Sequence, residues 1–171
     1  MTALFLTIRV VHILLGVFWA GTIIFVATFL MPSVRDAGPD GGKVMLALMR
    51  RGYMNVIPVV ALVTLLSGFW LYWQDMVAGG STWAGSMSAR VYGAGALAGL
   101  VGFVIGASVV RPNAMKLSGL MEKVPNTPEG PARAALVAEM DGHRAKMAAA
   151  APWVATLLAL TAVCMAVARY V

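Results

Sequence analysis

An all-α fold, a transmembrane four-helix bundle with cytoplasmic helical extensions, is predicted by three features of the 171-residue sequence. Apolar residues make up 60% of it and charged residues only 12%, where soluble domains carry about a quarter charged residues. Four stretches without Asp, Glu, Lys or Arg are each long enough to cross hydrocarbon. Proline, glycine and charge gather between those stretches. Residues 1–171 therefore read as a single membrane domain with spans at about 9–31, 55–74, 90–110 and 147–169.

The first span rests on Val10 to Met31, 22 residues without a charged side chain, or about 33 Å of helix at ~1.5 Å per residue. It exceeds the ~7–15 apolar residues of a signal-peptide core, and no small-x-small cleavage site follows, so it is expected to stay in the mature protein. Pro32 to Gly42, with its prolines, glycines and aspartates, predicts turns and loop as the chain leaves the membrane. Lys43 to Arg51 reads as a short amphipathic helix along the membrane surface, with Val44, Met45, Leu48 and Met49 at apolar positions. The second span rests on Val56 to Trp73, with Asn55 as a cap and Pro58 in the first turn, where its missing N–H costs little. Trp70, Tyr72 and Trp73, followed by Gln74 and Asp75, form an interfacial belt. Met76 to Ala89, with Gly and Ser around Trp83, predicts a tight connection between spans.

The third span, Val91 to Val110, carries Gly93, Gly95, Gly99, Gly102 and Gly106. Its Gly95/Gly99 and Gly102/Gly106 pairs have the four-residue spacing that lets helix backbones touch in lipid. Arg111 to Lys146 is the longest polar segment. Its pattern predicts a helical extension of the third span, a turn near Pro125 to Gly130, and a helix from Ala132 running into the fourth span, Met147 to Ala168. Pro58 and Pro152 both stand near the entry of an even-numbered span, a faint hint of a two-plus-two repeat. The single cysteine, Cys164, lies within the fourth span, so there is no disulfide framework.

Basic residues are distributed unequally. Arg35, Lys43, Arg50, Arg51, Arg111, Lys116, Lys123, Arg133, Arg144 and Lys146 flank the inner ends of the spans, and only Arg9, Arg90 and Arg169 flank the outer ends. The positive-inside rule then places the two long connections in the cytoplasm and both termini on the outer, periplasmic side. The net charge of +6 is spread around apolar spans, so no nucleic-acid surface is expected and the lipid bilayer is the expected partner.

His12 is the leading functional candidate, because ionisable residues inside a membrane span are expensive to keep there. Arg9, His12, Gly16 and Ala20 share one helix face, open to another helix or a flat ligand. On this topology Arg9, Arg90 and Arg169 ring the outer end, with Cys164 and Met165 at a depth similar to that of His12. Haem b calls for an axial imidazole, a thioether opposite and arginines for its propionates, which nominates His12 as an iron ligand with Met165, Arg9, Arg90 and Arg169 around it. A quinone headgroup would use much the same pocket, and the plainer reading is a histidine bonded to a neighbouring helix with arginines snorkelling to the interface. Twelve methionines raise the question of Cu(I), but apart from Met45 and Met49 they look dispersed. His143, beside Asp141 and Arg144, reads as a solvated residue with proton handling as the alternative. No phosphate loop, nucleophile motif or zinc spacing occurs.

His12 with Phe18-Trp19-Ala20-Gly21, then Met49-Arg50-Arg51, then Ser67-Gly68-Phe69-Trp70-Leu71-Tyr72-Trp73 resemble a loose superfamily of small membrane proteins. It holds the HemJ-type protoporphyrinogen oxidases, the CopD-type copper-resistance proteins and uncharacterised four-span proteins of bacterial inner (cell) membranes. The resemblance covers about residues 9 to 73. For the HemJ type it implies a haem-binding bundle with His12 as the first-span histidine. The third span departs from that pattern, with Arg90 near where a lysine is expected and no histidine after it, which sets the chain with the uncharacterised members. Two functions follow as expectations: a haem- or quinone-binding protein centred on His12, or a non-catalytic subunit of a respiratory or photosynthetic complex, packed against its partner through the Gly-rich third span.

Overall fold

The computed structural model describes residues 2–171, and the chain is helical almost throughout. Helix α1 (Ala3–Phe25) passes through a π-helical turn (Val26–Leu30) into α2 (Met31–Asp36), and α3 (Gly38–Arg50) follows after one break. Helix α4 (Tyr53–Ala84) leads into α5 (Met87–Ile105), which passes through a second π-helical turn (Gly106–Val110) into α6 (Arg111–Lys123). A 3-10 turn (Val124–Asn126) then precedes the long helix α7 (Pro131–Val167).

Four helical units, Ala3–Asp36, Tyr53–Ala84, Met87–Asn126 and Pro131–Tyr170, are long and apolar enough to cross a membrane. They make an all-α four-helix bundle. Leu14, Val17, Phe69 and Trp153 are each more than 60% exposed around its outside, a surface that water would not tolerate and lipid covers. This is a multi-pass membrane protein.

The bundle is built from two antiparallel hairpins, α1 with α4 and α5 with α7, closed by contacts of α4 with α5 and of α1 with α7. Trp19 and Phe103 meet edge to face across the diagonal, ring centroids 6.4 Å apart. The two halves are alike in detail. Each odd-numbered span has a π turn ending two residues before a proline, Pro32 or Pro112. There the N–H of Met31 bonds Val26 O and that of Arg111 bonds Gly106 O, five residues back. The wider turn lets the helix continue past a residue that has no N–H to give. In the even-numbered spans Ser67 and Thr161 stand at equal distances after Pro58 and Pro152, and each turns its hydroxyl toward the other helix of its hairpin. These matches strengthen the two-plus-two pattern at which the prolines hinted.

Three expectations are corrected. The predicted loop at Pro32 to Gly42 is helical apart from Ala37, because Pro32 and Pro39 fall in first turns where a missing N–H is harmless; the break is carried by Gly38 at φ 58°. The predicted connection Met76 to Ala89 is mostly helix. Helix α4 bends at Gly80 (φ 57°, ψ −147°) and ends at Ala84, while α5 starts at once with Ser86 Oγ accepting from the N–H of Ala89. The segment from Lys43 does not lie alone on a surface. Helix α3 docks on the rest of the chain, with Met45 buried, Met49 packed into a core and Arg50 paired with Glu122 of α6 at 3.2 Å.

That docking creates a second core. Trp19, Ala61, Val154 and Leu158 centre one within the bundle, and Ala114, Leu117, Leu120, Met140 and Met147 centre another among the helical extensions. Met49, Met54 and Met121 pack against the second. The methionines are therefore not dispersed: five meet in one core, brought there from α3, α4, α6 and α7, a convergence that sequence spacing does not reveal.

Candidate functional site around His12

The predicted face of α1 meets α4. Gly16 lies opposite Thr64, whose Cγ2 is 3.5 Å from where a β-carbon on Gly16 would stand, and Trp19 and Ala20 join the bundle core with Ala61. The room that Gly16 and Ala20 leave is therefore taken by a helix.

His12 lies in the N-terminal half of α1, half-buried, with its ring against the backbone of Gly68: a β-carbon there would stand 2.6 Å from His12 Cε1. Only glycine allows the imidazole so near the α4 axis. His12 Nδ1 is 2.9 Å from Thr64 O and 3.2 Å from Ser67 Oγ. A carbonyl oxygen only accepts, so in the neutral ring the proton is on Nδ1 and Nε2 carries the lone pair. The Ser67 hydroxyl lies 2.7 Å from Val63 O and 3.0 Å from Thr64 O; it donates within its own helix and presents oxygen lone pairs to the imidazole. Thr64 Oγ1 donates to Val60 O at 2.8 Å, and Thr64 O is shared between His12 and the Ser67 hydroxyl.

Nε2 has no hydrogen-bond partner among the described residues, where every fully buried side-chain nitrogen or oxygen has one. It therefore opens onto the surroundings of the α1–α4 pair. An imidazole held at Nδ1–H by a carbonyl, with Nε2 unprotonated, has the orientation in which proteins present histidine to a metal.

The other nominated residues divide between the hairpins. Arg9, near the start of α1, is an electrostatic neighbour of Asp75 on α4. Met165 belongs to the other pair: its Cε is 3.2 Å, and Cys164 Cβ 2.7 Å, from a β-carbon built on Gly95 of α5. Arg90 is exposed near the start of α5, and Arg169 stacks on Tyr170 with its guanidinium 5.5 Å from the ring centroid. Ser88 Oγ donates to Val171 O at 2.6 Å, which brings those two helix ends together.

Sequence reading missed the partners of His12. Thr64, Ser67 and Gly68 share one face of the second span, the only signal that marked them. His143 is not solvated; at 8% exposure it is buried between α6 and α7. Asn113 Nδ2 donates to Val109 O at 2.6 Å, which leaves Asn113 Oδ1 to accept from His143 Nδ1 at 2.7 Å. Nε2 of His143 faces Glu139 Oε1 at 3.7 Å.

Fold and site together define a multi-pass helical membrane protein with a directed intramembrane histidine. Comparison of the chain with protein-family models, with curated proteins and with solved structures finds no match.

Proposed function

We propose that the protein is a small cofactor-binding protein of the bacterial inner (cell) membrane, related to the HemJ/CopD-like superfamily, which holds haem b through His12 Nε2. The observation that carries this reading is the bond from His12 Nδ1 to Thr64 O, which turns an unprotonated Nε2 outward. Haem b, when bound, supplies one-electron redox chemistry at its iron. The chain's part is to fix the imidazole: Thr64 O accepts a hydrogen bond from Nδ1–H, Ser67 Oγ braces it, and Gly68 gives it a seat. Arg9 near the start of α1, Arg90 near the start of α5 and Arg169 after the end of α7 are the guanidinium groups available to propionates. Met165 would not join His12 in holding the group, because it packs on Gly95 in the other hairpin.

The same tautomer discriminates against a quinone, whose carbonyls need a donor that Nε2 lacks in this form; a quinol hydroxyl would fit. The reading as a non-catalytic subunit of a respiratory or photosynthetic complex is weakened, since Gly95, Gly99 and Gly102 face Cys164, Thr161 and Leu158 of the chain's own α7. Orientation follows the basic residues, with ten at the inner ends of the spans against three at the outer, both termini outside.

Expression with ample haem, purification in mild detergent and an absorption spectrum test the proposal. A Soret band in the wild type, lost in a folded His12→Ala variant, supports it. A wild-type protein that takes up no haem, or a His12→Ala variant with an unaltered spectrum, overturns it.

A further inference from the structure

Two cores are stacked along the molecule, and the same three chain segments run through both. On α4, Met54 packs in the extension core and Ala61 in the bundle core; on α7 these places are held by Met147 and Val154; along α5 and α6, by Ala114 and Phe103, with Val110 touching both. A proline stands between the two places on each segment, Pro58, Pro152 and Pro112, with Ile57 just before Pro58 already against the bundle core. Each proline removes one helical hydrogen bond and crowds the carbonyl four residues back, so three bonds are missing at one level. Bending is easier there than elsewhere along the helices. The π turn Gly106–Val110 ends just before Pro112 at the same level.

The cores on either side differ in kind. Among the described residues, five of the eleven that form or line the extension core are methionine, and none of those in the bundle core is. Methionine is unbranched and adjusts to a changing cavity, whereas the Trp19, Val154, Ile57 and Phe103 of the bundle core have few alternative shapes. Two polar links cross the weak level. Arg111 Nε donates at 3.2 Å to Met54 O, the carbonyl that Pro58 cannot reach with an N–H. Asn113 Nδ2 donates to Val109 O beside Pro112 and is itself held by His143.

We infer that the Pro58–Pro112–Pro152 level is a hinge, about which the extension formed by α3, α6 and the first half of α7 tilts as a unit on a rigid bundle, with Arg111 as its pin. The methionines let the extension core stay packed as it moves, and the bundle beyond the prolines keeps the His12 site unchanged. The inference does not depend on any cofactor at His12.

Distances between paired nitroxide labels, measured in lipid nanodiscs on the full chain in a Cys164→Ala background, test it. Cysteines at the exposed Met115 and Leu66 report across the hinge, Leu14 with Leu160 within the bundle, and Met115 with Ala135 within the extension. The expected result is a broad distribution for the pair across the hinge and narrow ones for the other two. Arg111→Ala should broaden the first further, and Pro152→Ala, which restores an N–H, should narrow it. A cross-hinge distribution as narrow as that within the bundle overturns the inference even if neither variant folds. So does an extension pair as broad as the cross-hinge pair, because the extension would then not move as one body.

Discussion

His12 occupies the space beside Gly68 that a side chain would need: its Cε1 lies 2.6 Å from the position of a β-carbon there. Gly68→Ala should therefore displace the imidazole and destabilise the bundle by about 1–3 kcal/mol, as overpacking does. Thermal unfolding in detergent measures it. In a His12→Ala background the same substitution should be nearly free, so the two changes should be far from additive. Additive losses would mean that the ring is not seated on Gly68.

Ser67→Ala removes the brace but leaves Thr64 O to accept from Nδ1. We expect a loss of about 0.6 kcal/mol or less, in the range of interhelical polar contacts in membranes, with His12 still carrying its proton on Nδ1. Nitrogen-15 shifts of labelled histidine report the tautomer with or without haem. A proton on Nε2 would remove the basis for iron ligation.

The glycines of the third span should not respond alike. A β-carbon on Gly95 meets Cys164 Cβ at 2.7 Å, one on Gly99 meets Thr161 at 3.4 Å, and one on Gly106 meets nothing within 4 Å. Alanine should accordingly be most damaging at 95, mild at 99 and tolerated at 106. Equal losses at all three, or damage at 106 alone, would point to a partner outside the chain.

Replacing His143 with alanine leaves the half-buried Asn113 Oδ1 without its donor, a loss of about 1 kcal/mol. The extension should loosen before the bundle. Limited proteolysis in the turn between α6 and α7, near Val124 to Gly130, should quicken while detergent-resistant bundle fragments persist. Unchanged cleavage would show that the bond to Asn113 is dispensable.

The orientation can be read with single cysteines in a Cys164→Ala background. Labels at Ser81 and Glu129 should react with impermeant reagents from opposite sides of the membrane, with Ser81 outside. Reaction of both from one side would refute the four-span arrangement, and Ser81 inside would reverse the orientation.

Hydropathy is a local, additive property, and what depends on it was legible in the chain. The four long apolar helices and the all-α bundle follow from runs of side chains that neither water nor a β-turn would accommodate, and the prolines and glycine of 125–130 marked the turn after α6. Proline and glycine were read less well. Pro32 marked a loop in the sequence, but a π turn upstream lets the helix carry on, and whether that occurs depends on what packs beside it. The tertiary structure alone decided the pairings. Thr64 and Ser67 reach His12 across more than fifty residues, and α7 packs on the glycine stripe, whose spacing marked a close helix contact without saying which helix makes it. Met165, at a matching depth, was drawn into the other hairpin, because depth fixes a residue's level along the bundle but not which helix it faces. The methionines and His143 needed α3 and α6 to fold back on α7 before they were buried at all. Span and level come from each residue's own exchange between water and lipid; contact comes from which helix faces fit together, and that is a property of the whole bundle.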